Sequence, residues 1–235
     1  MDHPEIVSRE QWIAARRRLL VEEKAFSRAR DALGRKRREL PWVRVEKPYV
    51  FEAPAGKATL ADLFEGRSQL IVYHFMFGPD WQEGCKSCSL LADHFDALLP
   101  HLRARDVSLV AVSRGPLEKL QAFQQRMGWR FPWFSSQGSD FNVDYRVSFP
   151  PDQVTQGRRS YNYDTLAPSV EEMPGASVFA RDDAGAVFHS YSCYARGLDM
   201  LMPPYQFLDL VPKGRDEDGL PYPMSWVRHH DRYED

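Results

Sequence analysis

The pattern of apolar and polar residues divides this chain into a polar start, a central alternation of strands and helices, and an aromatic end. Residues 69–77 (QLIVYHFMF) form a nearly continuous apolar run, which is typical of a strand buried on both faces of a sheet. Breakers follow at Gly78, Pro79 and Gly84. Beyond them, apolar residues recur at helical spacing as far as Leu102. The sequence therefore predicts a buried strand that leads through a loop into a helix.

The rest of the central region continues this alternation. Residues 107–113 (VSLVAVS) predict a second buried strand, and a helix and a short strand within 129–136 follow it. The order β-α-β-α-β indicates an α/β sheet with right-handed crossovers. Residues 176–182 and 186–195 alternate on either side of a short polar turn, which predicts an antiparallel hairpin.

Both ends of the chain carry additions to this region. Residues 8–40 predict one long helix, with Ser8 and Gln11 spaced as a capping box. The last part is rich in aromatic residues and proline, so we expect it to pack on the domain or on a partner subunit. We expect three regions, namely a helical extension, the α/β domain and a C-terminal extension: 1–41, 42–196 and 197–235.

Composition and charge restrict the partners. Among 235 residues, 43% are hydrophobic and the formal net charge is −2, which favours a packed core and gives no drive towards nucleic acid or anionic lipid. Basic residues of the long helix alternate with acidic ones and lack a stacking platform, so we expect no nucleic-acid binding. An apolar run long enough for a transmembrane helix is missing and the first residues are polar, so we expect a cytoplasmic protein without membrane contact.

Three cysteines in a chain of this length favour redox or metal chemistry over a disulfide scaffold. Cys85 and Cys88 form a C-x-x-C motif at the join of strand and helix, where residues i and i+3 share a face. Free N–H groups at the helix start and the charge of Lys86 favour a thiolate, so we expect Cys85 to be the exposed attacking thiol and Cys88 the resolving one. A structural pair or half of a zinc site are the alternatives, but a second ligand pair is missing from the sequence. We predict neither metal nor cofactor.

Other candidate residues have less specific signals. His74, near the end of the buried strand, could share a proton with the thiols, but we favour a core histidine bonded to a backbone carbonyl. Tyr145, Tyr161 and Tyr163 could line a cleft, although surface packing is the favoured interpretation. The histidine pair of the tail, His229-His230, could bind metal, but a solvated position is favoured.

Several stretches carry a resemblance to a known family: YHFMFGPDWQEGCKSCS, MPGASVF, YARGLD, YQFLDLVPKGR and WVRHHDRY. They span most of the chain. The sequence resembles the bacterial domain of unknown function 899 family, predicted dithiol–disulfide oxidoreductases with a thioredoxin-like, peroxiredoxin-like fold. The resemblance implies a thioredoxin-like sheet sandwiched by helices. It also implies that Cys85 matches the nucleophile, Cys88 the resolving cysteine and Pro174 the cis-proline that faces them.

The sequence departs from the patterns of these proteins at several positions. Gly84 stands where thioredoxin has Trp, and Trp81 lies four residues before the first cysteine. Lys86-Ser87 replaces Gly-Pro between the cysteines. The buried acid of thioredoxin has only His74 or Glu83 as candidates. A peroxiredoxin would have Thr where Gln82 stands, which disfavours its mechanism of peroxide reduction.

We therefore expect a thiol–disulfide oxidoreductase that acts on a protein or small-molecule thiol or disulfide. Two alternatives remain at this point: a thiol peroxidase that uses the same cysteines, and a non-catalytic thioredoxin-like binding protein. Zinc shared between the C-x-x-C pairs of two subunits is a further arrangement. The long helix and the aromatic tail suggest a homodimer.

Overall fold

The computed structural model describes three stretches of the chain: 4–150, 160–163 and 170–234. Contacts divide the chain into two units at Pro41. The first unit is one helix, α1 (Arg9–Arg38), as the sequence predicts. Its capping box forms, since Gln11 N–H donates to the Ser8 hydroxyl over 3.2 Å and Ser8 N–H donates to the Gln11 side chain over 3.0 Å.

The second unit contains one eight-stranded sheet. Its strands in chain order are β1 (Val43–Arg44), β2 (Val50–Ala53), β3 (Gly56–Thr59), β4 (Gln69–His74), β5 (Val107–Ser113), β6 (Trp133–Ser135), β7 (Gly175–Arg181) and β8 (Val187–Tyr194). The spatial order is β1-β8-β7-β4-β5-β6-β2-β3. β4 lies in the middle, where it pairs in parallel with β5 and antiparallel with β7. This position explains its apolar sequence, because both of its faces are covered.

Helices cover both faces of the sheet. The α-helices are α2 (Lys86–Ala92), α3 (Phe95–Arg103), α4 (Leu117–Arg126), α5 (Phe141–Asp144) and α6 (Pro203–Leu208), and 3-10 helices span Asp62–Phe64, Ala195–Leu201 and His230–Arg232. The central strands run in the order β8-β7-β4-β5, β7 is antiparallel to its neighbours, and the cysteine-bearing helix follows β4. The predicted fold class, a thioredoxin-like α/β sheet between helices, is therefore confirmed.

Two apolar cores lie on opposite faces of the sheet, and β4 contributes to both. Tyr73, with Phe75 and Phe77 beyond the strand end, joins the core beneath α2, α3 and α4, which we call the α2 face. Leu70 and Val72 join the core that includes α5, which we call the α5 face. Alternate residues of a strand point to opposite faces, so His74 should lie on the α5 face.

Some boundaries differ from the predicted ones. The helical pattern after the cysteines is divided into α2 and α3 at Asp93 and His94. His94 N–H donates to the carbonyl of Leu91, three residues earlier, so the last turn of α2 tightens. The Asp93 carboxylate accepts a hydrogen bond from Trp129 Nε1 over 2.8 Å. A tertiary contact therefore holds the chain at this break.

The end of the chain packs on the α2 face. Leu198, Met202 and Tyr205 are buried in the same core as Cys88. The predicted hairpin, which precedes this segment, forms between β7 and β8. Within the described residues, no helix combines the length and apolarity that crossing a membrane requires.

Candidate dithiol site

Cys85 and Cys88 lie where the chain leaves the sheet and enters α2. Cys85 is the N-cap residue, and its carbonyl accepts the first helical hydrogen bond from Ser89 N–H at 2.9 Å. Cys85 N–H donates to the carbonyl of Met76 over 3.0 Å, which ties the start of α2 to the chain just beyond β4. These two cysteines and Cys193 are present as thiols rather than as disulfides.

The two thiols of the motif differ in burial. Cys88 is 1% exposed, whereas Cys85 is half-buried and packs against the core of the α2 face. The expectation of an exposed Cys85 is therefore wrong. The preceding turn rests on aromatic rings, since a Cβ at Gly84 would lie 2.6 Å from a ring carbon of Phe75 and 2.9 Å from one of Phe123. This close approach draws the start of α2 into the core.

The two thiols also differ in acidity. Hydrogen bonds lower the pKa of Cys85 to about 7, the largest effect coming from the Cys88 side chain, with further bonds from the backbone of Cys88 and from Ser87. Burial opposes this shift but is the smaller effect. Burial raises the pKa of Cys88, as does its hydrogen bond to Cys85. The first thiol therefore ionises near neutral pH while the second keeps its proton.

Tyr73 places a hydroxyl beneath the thiols. Its side chain is 2% exposed, and its oxygen has no hydrogen-bond partner of standard geometry among the described residues. The hydroxyl lies beside Cys88 and lowers the pKa of that thiol. Burial raises the pKa of Tyr73 itself, so the phenol stays protonated. A donor is thus available for negative charge on the buried sulfur.

The sequence predicts that Lys86 and Trp81 support the thiols, and the structure shows where these two residues lie. Lys86 is exposed, and the main causes of the lowered Cys85 pKa are Cys88 and Ser87 rather than this lysine. Trp81 is half-buried against the core of the α2 face, and its carbonyl accepts a hydrogen bond from Lys119 Nζ at 3.3 Å. Trp81 therefore belongs to the loop that carries the cysteines.

His74 does not share a proton with the thiols. Its Nε2 lies 2.8 Å from the hydroxyl of Ser177, and its ring stacks on Tyr145 on the α5 face. Burial, with a smaller effect of His189, lowers the pKa of His74 to about 3. It is a core histidine, but its partner is a side-chain hydroxyl rather than the expected backbone carbonyl.

Pro174 lies directly before β7, and its peptide bond to Met173 is trans, like those of the other described residues. The cis-proline implied by the family resemblance is therefore absent from this part of the chain. The carbonyl of Pro174 accepts a hydrogen bond from the hydroxyl of Tyr161, which in turn accepts one from Ala195 N–H at 2.9 Å. Tyr161 is fully buried, so surface packing is the wrong interpretation for it. Its pKa is raised, chiefly by burial and to a smaller extent by charge on Cys88.

Sequence reasoning also missed contributions from the tail. His229 is 1% exposed, so a solvated position is wrong for this residue, whereas His230 is exposed. Glu83, a candidate for the buried acid, instead pairs with Arg126 at 2.7 Å and with Arg232 near the surface. Only long-range packing brings these residues together. Within the described stretches, no group of three or more His, Cys, Asp or Glu side chains is arranged to hold a metal ion.

Comparisons with known proteins place this geometry in context. A family model described as "Bacterial protein of unknown function (DUF899)" matches residues 1–233. No curated protein matches the sequence. Among solved structures, peroxidoxin BcpB from Mycobacterium tuberculosis is 14% identical, with a TM-score of 0.47 over 69% of this chain and 94% of that one. A peroxiredoxin Q variant from Xanthomonas campestris is also 14% identical, with a TM-score of 0.47 over 72% of this chain and 98% of that one.

Proposed function

This chain belongs to the bacterial family of unknown function DUF899, and we propose that this member catalyses thiol–disulfide exchange at Cys85 and Cys88. The observation that carries the proposal is the difference between the two thiols. Hydrogen bonds lower the pKa of Cys85 to about 7, and burial raises that of Cys88. An attacking thiol works best when its pKa is near the ambient pH, because it is then both ionised and nucleophilic. A resolving thiol must stay protonated until the mixed disulfide has formed.

The reaction runs in two steps. The Cys85 thiolate attacks one sulfur of a substrate disulfide, forming a mixed disulfide while the other substrate sulfur leaves as a thiolate that takes a proton from water. Cys88 then attacks the Cys85 sulfur, and its proton goes to the second substrate sulfur as that leaves. The substrate is reduced by two electrons and the Cys85–Cys88 disulfide is formed. A dithiol donor reduces this disulfide, which suits the reducing cytoplasm expected from the sequence.

The surrounding hydroxyl groups support these steps. Ser87 donates to the Cys85 sulfur in the resting state and so stabilises the attacking thiolate. Tyr73 lies beside Cys88 and stabilises charge on that sulfur at the moment when it must attack. Hydrogen-bond donors thus stabilise negative charge on the Cys85 sulfur in the first step and on the Cys88 sulfur in the second.

Cysteine variants test the proposal. We expect Cys85→Ser to abolish insulin reduction and Cys88→Ser to accumulate a mixed disulfide with the substrate, whereas Cys193→Ser retains activity as the matched control. The midpoint potential, measured in glutathione buffers with alkylation and mass readout, should lie between about −120 and −270 mV. A Cys85→Ser variant with full activity would refute the proposal.

The midpoint measurement and a reaction with peroxide distinguish the two alternatives. If no disulfide forms between the cysteines at any redox potential of the buffer, the chain is a non-catalytic binding protein. If Cys85 instead forms a sulfenic acid rapidly at micromolar peroxide and insulin is not reduced, the chain is a thiol peroxidase.

A further inference from the structure

The C-terminal segment returns to the dithiol site at His229. The side chain of this residue is 1% exposed, and its Nε2 lies 2.9 Å from the carbonyl oxygen of Gly84, the residue directly before Cys85. Its ring packs edge-on against Phe123, with 5.2 Å between the ring centroids. A residue far along the chain therefore contacts the peptide bond that begins the cysteine motif.

The partners of His229 determine which ring nitrogen carries the proton. Arg126 Nη2 lies 3.3 Å from His229 Nδ1. A guanidinium group can only donate, so Nδ1 must accept. In this arrangement Nε2 carries the N–H that donates to the Gly84 carbonyl. The hydrogen bonds run in one direction, from the guanidinium through the ring to the backbone.

Arg126 is itself held by carboxylates on two sides. It donates from Nε and Nη2 to Asp231, each over 2.8 Å, and from Nη1 to Glu83 over 2.7 Å. Arg232 also donates to Glu83. Asp231 and Arg232 thus attach the tail to Arg126 and Glu83. Glu83 directly precedes Gly84, whose carbonyl accepts the hydrogen bond from His229. Bidentate bonds of this kind fix orientation as well as distance.

These contacts fix the peptide unit between Gly84 and Cys85. Its carbonyl accepts from His229, and its N–H donates to the Met76 carbonyl over 3.0 Å. The rings beneath Gly84 leave no space for the unit to sink further. Because this unit carries the Cα of Cys85, its orientation decides where the sulfur lies relative to the donors of Ser87.

We propose that His229 is a positioning residue of the dithiol site, which holds the Gly84 carbonyl so that the Cys85 sulfur meets its hydrogen-bond donors. His229, with Asp231 and Arg232 that attach it, is then part of the site rather than a cover over the core. The inference rests on the proposed function, in which Cys85 reacts as a thiolate. It adds a component that the C-x-x-C motif does not contain.

Two substitutions at one position separate the hydrogen bond from packing. His229→Leu keeps similar bulk and removes the donor, whereas His229→Gln retains an N–H group that can reach the carbonyl. His230→Leu is the matched control, because the His230 side chain is exposed and forms a hydrogen bond with Asp93 instead of with Gly84. The readout is the rate at which iodoacetamide alkylates Cys85 in fully reduced protein as a function of pH, localised by mass spectrometry.

We expect His229→Leu to move the alkylation midpoint upwards and to lower the rate at pH 7 about fivefold, as a rise of about one pH unit in the midpoint would. His229→Gln and His230→Leu should keep the native profile. A native profile in a folded His229→Leu protein would overturn the inference. So would a shifted profile in a folded His229→Gln protein.

A measurement on the native chain decides the matter if the leucine variant does not fold. Nitrogen chemical shifts of the histidine rings distinguish the two neutral tautomers, and we expect a protonated Nε2 at His229. A proton on Nδ1 would overturn the inference. Alkylation requires no disulfide substrate, so loss of the proposed exchange activity with an intact alkylation profile would refute the proposed function alone.

Discussion

Only two residues separate Cys85 from Cys88, yet the pKa of Cys85 is lowered and that of Cys88 is raised. The half-buried sulfur receives hydrogen bonds from the neighbouring side chains and backbone, while the fully buried sulfur loses hydration and gains less in return. A shift of one pKa unit changes the free-energy difference between the charged and neutral forms by about 1.4 kcal/mol. At the scale of single residues, the chemistry of the motif is therefore set by which donors reach each sulfur.

Tyr73 gives a prediction at the residue scale. Replacing it with Phe removes the hydroxyl beside Cys88, which should raise the pKa of that thiol and slow resolution of the mixed disulfide about 2- to 10-fold, the effect of one hydrogen bond. Initial attack by Cys85 should be little changed. The measurement is the lifetime of the adduct with a small disulfide, by acid quench and mass spectrometry.

Tyr49→Phe is the matched control for this substitution. Tyr49→Phe also removes one hydroxyl, but that hydroxyl forms a partly buried hydrogen bond to Asp144 on the α5 face, away from the thiols. Equal adduct lifetimes in both variants would show that the Tyr73 hydroxyl has no part in resolution. Because that hydroxyl lacks a partner of standard geometry among the described residues, its removal should not destabilise the fold.

The turn before α2 is the decisive feature at the scale of elements. The chain leaves β4, runs over the rings of Phe75 and Phe123, and enters the helix at Cys85. Only a residue without a Cβ can make this approach at Gly84. The glycine that stands where thioredoxin has Trp is therefore a packing requirement of this chain.

Gly84→Ala tests that requirement. The added methyl would lie 2.6 Å from Phe75 Cε1 and 2.9 Å from Phe123 Cε1, and both rings are buried. We expect a loss of about 1–3 kcal/mol in the free energy of unfolding, measured by urea denaturation. Gly219→Ala is the control, since no atom of the described residues beyond its own chain neighbours lies within 4 Å of its Cβ position. Equal stability of the two variants would contradict the close approach.

At the scale of the whole molecule, His74 makes stability depend on pH. Its folded pKa is lowered to about 3, chiefly by burial, whereas an unfolded histidine titrates near 6.5. As pH falls below 6.5, the unfolded chain binds a proton that the folded chain does not, so stability decreases and remains highest above 6.5. From pH 7 to pH 4.5 the loss from this group is roughly 2–3 kcal/mol.

His74→Gln should remove this part of the acid sensitivity. We expect its free energy of unfolding, from urea titrations at pH 7 and pH 4.5, to change less between the two pH values than that of the native chain. His189, whose pKa burial also lowers, contributes in the same direction and remains in both proteins. An unchanged difference between the two pH values would mean that His74 is accessible to protons in the folded state.

The sequence by itself determined the elements that follow from local patterns. Apolar runs and helical periodicity predicted α1, the hairpin of β7 and β8, and the strands β4 and β5, because burial imposes a period of two or 3.6 on the residues themselves. The C-x-x-C spacing likewise located the two thiols at the start of α2. These predictions required no knowledge of contacts between residues that are distant in sequence.

Tertiary structure decided which side chains surround the thiols. The alternation along β4 sends Tyr73 towards Cys88 and His74 to the other face, a distinction that the apolar run does not show. His229 reaches Gly84 only because the tail folds back over α4. Hydrogen bonds between residues distant in sequence leave no periodic pattern. The sequence alone could therefore locate the two cysteines but not the groups that surround them.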